Sequence, residues 1–170
     1  RPSIDDDMSV MTANVHSWKT VNGKNNFDIF MNILKKEDPD IACLQEVLAD
    51  GTELQKIYQE GYNVLFATTI WYPFKGRFGN AVISQSPIEI SDVVGLPHPS
   101  TVTPRNAISF KIETADGPID MLNVHLSINA EESAGQLRHL KSRENKVEMM
   151  CGDFNQQPKT VIAGPFGKLA

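Results

Sequence analysis

Apolar positions along the chain recur with a period of two in several short runs and with a helical period in one longer run. Residues 8–15, "MSVMTANV", carry small and β-branched side chains and predict a strand. In "NNFDIFMNILKKEDPD", Phe27, Phe30, Met31 and Leu34 fall at i, i+3, i+4 and i+7, which predicts a helix with one apolar stripe. Asn26 suits its N-cap, Lys35 and Lys36 complement its carbonyl end, and Pro39 blocks its continuation. "DIACLQEV" (40–47) predicts a second strand. Strand, helix and strand in succession predict a crossover with parallel neighbours, whose C-terminal ends point the same way. Asn14 and Glu46 then sit together at those strand ends.

Further along, Leu54, Ile57 and Tyr58 mark a short helix closed by Gly61. Residues 62–70 and 79–87 predict strands joined by a loop, "WYPFKGRF". "RNAISFKIET" and "IDMLNVHLS" flank "ADGP", a hairpin signal. Residues 131–145 predict a helix weakened by Gly135, and "VEMMCGDF" a last strand. Hairpins mixed with crossovers predict sheet plus covering helices, not an all-parallel doubly wound sheet.

Composition narrows the class. The 170 residues suffice for one domain with its own core, 41% hydrophobic and 22% charged. A net charge of −5 gives no general attraction to nucleic acid or anionic membrane, so a phosphate-bearing substrate must be held by a local device. No apolar run approaches the ~20 residues of a membrane span. The acidic start "RPSIDDD", without Met, reads as the interior of a longer product, so the compartment stays open. Cys43 and Cys151 lie in strand-like runs and read as buried small hydrophobes, neither a disulfide framework nor a zinc pattern.

Polar residues at predicted strand ends supply the candidate chemistry: Asn14, Glu46, His125, Asp153 and Asn155. Carboxylate and amide oxygens are hard donors, which suit Mg²⁺ or Mn²⁺ better than zinc. Other features have plainer readings. His16, Trp18 and His98 read as loop residues, and Met149 and Met150 as core filler. "GRFG" mimics a nucleic-acid-binding loop but lacks the helices such a module requires. "FKGRF" interleaves aromatic and cationic residues as a phosphate chain would need, yet Lys19, Lys24, Lys75 and Arg77 are scattered and read as solvated charge.

"TANV", "PDIACLQEV", "FGNAVIS", "NVHL" and "CGDFN", in this order, resemble the endonuclease/exonuclease/phosphatase superfamily, the metal-dependent phosphoesterases related to deoxyribonuclease I. The resemblance runs from about residue 8 to residue 158 and treats residues 1–170 as one domain. It implies an α+β fold, a four-layer sandwich of two mixed sheets with helices outside. It further implies that Glu46 binds a Mg²⁺ or Mn²⁺ ion directly and that Asn14 supports metal and phosphate. Asp153 matches the carboxylate that orients or deprotonates the attacking water. Asn155 matches a group that hydrogen-bonds a phosphoryl oxygen, and His125 one that donates a hydrogen bond or a proton. Arg105 falls where relatives contact phosphate. Strand alternation places Asp153 and Asn155 on one face and Phe154 in the core.

The family pattern continues through another aspartate-bearing strand and a final Ser-Asp-His block, whereas this sequence has no "SDH" and its last histidine is His139. Two functions therefore stand side by side. One is a monomeric phosphoesterase acting on a nucleic acid, a nucleotide or a phospholipid head group. The other is a catalytically incomplete relative, lacking its last strands, that at most binds metal and phosphate. A nucleotide-binding fold of another kind would need a glycine-rich phosphate loop, and neither G-x-G-x-x-G nor a Walker loop is present.

Overall fold

In the computed structural model, residues 7–99, 103–143 and 147–155 are described. The N-terminal "RPSIDD" and everything after Asn155 lie outside them. Twelve elements include eight strands and three α-helices. The strands are β1 (Val10–Asn14), β2 (Ile41–Leu48), β3 (Asn63–Tyr72), β4 (Gly76–Ser84), β5 (Ile88–Leu96), β6 (Arg105–Thr114), β7 (Gly117–His125) and β8 (Met149–Asp153). The helices are α1 (Phe27–Glu37), α2 (Glu53–Gln59) and α3 (Ala130–Lys141).

They form two four-stranded sheets, ordered β1-β2-β4-β3 and β5-β6-β7-β8. Each is mixed. β1 pairs parallel with β2, and β7 parallel with β8, while the remaining pairs are antiparallel. The expected crossover through α1 is present, and so is the β6–β7 hairpin around residues 115 and 116.

Strand alternation builds the layers. On β2, Ile41 and Cys43 face the second sheet and pack with Val82, Ile108, Phe110 and Met121. Ala42 and Leu44 face the other way, onto Phe27, Phe30, Met31 and Leu34 of α1. On the far side, Leu137 and Leu140 of α3 cover Leu122 and Val124 of β7. The order is thus helices, sheet, sheet, helix: the α+β sandwich expected from the resemblance.

Several local expectations need correction. "WYPFKGRF" is not a loop, because β3 runs to Tyr72 and β4 starts at Gly76; "GRFG" lies inside β4. β5 was not foreseen. It is an edge strand with alternating burial and a register shift between Ile90 and Asp92, which breaks the period that would have marked it. Asn26 precedes α1, but its amide donates to Val15 O, while the neighbouring Asn25 Oδ1 accepts the Phe27 N–H. Tyr58 and Met149 face solvent instead of the core. Trp18 is not a loop residue in solvent. It is buried, donates its indole N–H to Leu48 O at 3.0 Å, and meets Phe27 and Phe30 edge-on. Cys43 and Cys151 are buried or partly buried as expected, but they are joined as a disulfide, linking β2 in one sheet to β8 in the other.

Candidate active site

Asn14 ends β1, and parallel pairing sets it beside Gln45 of β2. Glu46 does not end its strand. β2 continues to Leu48, and its pairing with β4 shifts register between Leu44 and Val47. Ala42, Leu44 and Val47 all pack toward the helices, so the extra residue reverses the alternation between them. Glu46 takes φ 55° in this bulge. An unbroken strand would aim its carboxylate into the apolar layer under α1; the bulge turns it out to solvent.

The second sheet brings three more groups. His125 ends β7 and pairs in register with Asp153 at the end of β8. Gly152 makes that pairing possible: its φ is +136°, and a Cβ there would lie 1.9 Å from Val124 O. Arg105 opens β6.

These side chains converge. Asn14 Nδ2 donates to Glu46 Oε1 at 3.0 Å and to Asp153 Oδ2 at 3.3 Å. Its Oδ1 accepts the His16 N–H at 3.0 Å. His125 Nε2 stands 4.0 Å from Glu46 Oε1 and 3.8 Å from Asp153 Oδ2. Arg105 Nη1 lies 2.6 Å from His125 Nε2 and donates into the imidazole. Burial, and next the Arg105 guanidinium, push the His125 pKa down to about 4. The ring is therefore neutral at pH 7, which is the form able to accept from an arginine. Burial likewise lowers the Arg105 pKa, against the opposing pull of Glu46 and Asp153.

Asn155 is near but not where alternation would put it. β8 stops at Asp153, and Asn155 adopts φ 47° beyond the strand. Its backbone N–H donates to Asp153 Oδ1 at 3.0 Å, and its side-chain amide donates to Leu126 O at 2.8 Å. Phe154 packs on the core under α3, as expected.

Sequence reasoning passed over the groups beneath the site. Asn123 is fully buried on β7; its amide donates to Leu44 O and Ala81 O in the opposite sheet, and its oxygen accepts from Gln45. Asn80 donates to Asn106 Oδ1, and Asn106 donates to Thr68 O, which anchors the start of β6 and hence Arg105. A buried amide on a strand is a signal, since it must find partners inside.

His16 also belongs to the site. His16, Ser17 and Trp18 take φ 48°, 56° and 61°, a left-handed turn costly for non-glycine residues and pinned by the buried Trp18. The turn sets His16 Nδ1 3.4 Å from Glu46 Oε2. Lys19 and Lys75 were expected to be scattered; both line a cleft of about 630 Å³ that opens from Glu46 and Arg105. Arg77 instead pairs with Asp50 at 2.7 Å.

The donor set fits a hard divalent cation. Glu46, Asp153 and the Asn14 amide supply oxygens of the kind Mg²⁺ takes while keeping waters. Asn14 would have to turn its oxygen toward the carboxylates to join them. Among the described residues no cluster of three or more His, Cys, Asp or Glu forms a closed metal cage. An open site with two carboxylates is the form this chemistry uses.

Residues 11–160 match the model of the endonuclease/exonuclease/phosphatase family. No curated protein matches the sequence. Solved structures do. An endonuclease/exonuclease/phosphatase from Beutenbergia cavernae is 23% identical with a TM-score of 0.73, covering 95% of this chain and 50% of that one. The human Nocturnin catalytic domain, with bound sulfate, is 22% identical with a TM-score of 0.67 over 89% of this chain and 65% of its own. D. rerio TDP2, complexed with a single-strand DNA product, is 19% identical with a TM-score of 0.65 over 88% and 61%. The chain thus spans half of the first and under two thirds of the other two.

Proposed function

The chain belongs to the endonuclease/exonuclease/phosphatase family, and on that premise we propose that it is a metal-dependent phosphoesterase. One observation carries the reading: Asn14 Nδ2 bonds both Glu46 and Asp153, so carboxylates from two sheets converge on one point. Related folds include ANGEL2, a 2',3'-cyclic phosphatase, at 19% identity, and TDP2 with its DNA product. The substrate class proposed at this level is a phosphate ester, whether of a nucleic acid, a nucleotide or a phospholipid head group.

Glu46 and Asn14 would hold Mg²⁺ or Mn²⁺, which when bound supplies Lewis-acid charge to a phosphoryl oxygen. Asp153, fixed through Oδ1 by the Asn155 N–H, keeps Oδ2 on the site side, where it takes a proton from the attacking water. His125 is neutral, so it offers a ring N–H as a hydrogen bond and not a transferable proton. Arg105 places a half-buried guanidinium where charge grows on the phosphoryl oxygens. Asn155 already spends one amide hydrogen on Leu126 O and has the second for substrate.

Hydrolysis of bis(p-nitrophenyl) phosphate with Mg²⁺ or Mn²⁺, beside calorimetric metal titration, tests the proposal. Turnover that falls on the order of 10²-fold or more in Glu46→Gln and Asp153→Asn supports it. Metal uptake without turnover replaces it by a binding domain. Neither uptake nor turnover removes it.

A further inference from the structure

The cleft that opens from Glu46 and Arg105 extends away from the converged carboxylates, toward the β3–β4 hairpin and the left-handed turn. Its charge is opposite to that of the chain. The protein carries a net −5, yet this lining holds Lys19, Lys75 and Arg105 against a single carboxylate, Glu46. Three of these four groups sit at the Glu46–Arg105 end or reach it through the turn; Lys75 marks the far end, on the hairpin. Lys19 and Lys75 have no ion-pair partner among the described residues. Arg77, the next cation on the same hairpin, is spent on Asp50, through both Nε and its backbone N–H. Cations left uncompensated on a concave surface attract an anion more strongly than scattered ones.

The same wall is aromatic. Tyr72 and Phe78 line the cleft and pack edge-to-face, with ring centroids 5.5 Å apart and planes at 68°. Both are partly exposed, so they keep surface for a ligand. The turn that presents Lys19 is held in a costly conformation by the buried Trp18, which fixes the site's floor in advance. A neighbouring hollow shares Lys19 and Lys75 but adds Asp50 and Glu53, so an anion is directed toward Arg105 and not behind the hairpin.

We infer that this cleft is a second phosphate subsite for a single-stranded oligonucleotide: Lys19 and Lys75 hold a phosphate adjacent to the one at Glu46, and Tyr72 meets a base. The inference rests on the phosphoesterase reading and narrows its substrate. A head group of a phospholipid offers phosphates but no flat ring, whereas interleaved cations and rings are what a strand uses. A volume of about 630 Å³ is enough for a ligand of more than one small group.

The test is fluorescence anisotropy with 5'-fluorescein hexathymidylate, on the Asp153→Asn chain in Mg²⁺ so that the strand is not consumed. Adding Lys19→Met and Lys75→Met together flattens the dependence of log Kd on log salt by about 1.4, at roughly 0.7 per phosphate contact. Tyr72→Leu weakens binding roughly fivefold or more. Lys24→Met, outside the cleft lining, changes neither. A salt slope unaltered in the double variant, with its circular dichroism melt intact, overturns the subsite. Displacement by inositol hexakisphosphate with no effect of Tyr72→Leu overturns the oligonucleotide in favour of a ringless polyanion. Because binding is read without catalysis, absent turnover in the wild-type chain sinks the phosphoesterase reading and leaves this result legible.

Discussion

Asn14 and Asp153 are separated by 139 positions in the chain and by 3.3 Å between Nδ2 and Oδ2. One sits on an edge strand of the first sheet and the other on an edge strand of the second, so the contact reports how the two sheets are docked. The amide also reaches Glu46, and its two N–H groups thereby separate two like charges. Asn14→Ala removes that spacer. Hydrogen bonds to charged groups contribute about 1.5–3 kcal/mol, and partial exposure places this pair at the low end. Urea denaturation in EDTA should show a loss of about 1–2 kcal/mol. Added Mg²⁺ should recover more stability in the variant than in the parent.

His125 gives a pH dependence with a defined sign. Its pKa falls from 6.5 to about 4 on folding, chiefly through burial and then through Arg105. The folded state therefore binds fewer protons than the unfolded state between those values. Stability is complete above pH 6.5 and declines as pH drops toward 4, by at most ~3 kcal/mol from this group. Melting temperatures across that range should fall for the parent and fall less for His125→Gln. An NMR titration placing the imidazole near its ordinary value would contradict the arrangement.

Glu46 holds φ 55° without being glycine. That conformation costs on the order of 1 kcal/mol or more for a residue with a Cβ. Glu46→Gly should raise the urea midpoint while abolishing metal uptake and turnover. Glu46→Gln keeps the strain and should leave stability near the parent's. A glycine variant less stable than the parent would mean that the bulge is not strained.

Trp18 anchors the turn that carries His16 and Lys19. Trp18→Phe keeps most of the apolar volume but loses the indole bond to Leu48 O. The expected loss is about 1–2 kcal/mol in chemical denaturation. It should come with weaker hexathymidylate binding, because Lys19 is then less well placed. Equal affinity in parent and variant would show that the turn is held by other contacts.

Much of this fold could be read from periodicity because its elements are locally consistent. Phe27, Phe30, Met31 and Leu34 face one way in any helix, and all four are buried. The exceptions share a cause. β5 escaped because a register shift at Asp92 breaks its alternation, and Glu46 looked like a strand end because the bulge that presents it leaves no mark in a two-residue period. Asn155 was aligned with Asp153 by continuing a strand that in fact stops. The site residues were legible as a set of polar strand termini, and the structure gathers Asn14, Glu46, His125 and Asp153, with Arg105 against His125. Lys19, Lys75 and His16 were passed over because their significance is spatial: a hairpin and a turn distant in sequence share one cleft. The disulfide between Cys43 and Cys151 was missed for the same reason.

Asn123 settles a matter that oily contact leaves loose. Two greasy sheets can slide across each other by a step and bury nearly the same area. This amide meets Leu44 O, Ala81 O and Gln45 in only one alignment, and any slip strands three polar partners in a dry interior. Mispositioned packings are thus penalised as a group, and the distance between catalytic groups on opposite sheets is inherited from that single alignment.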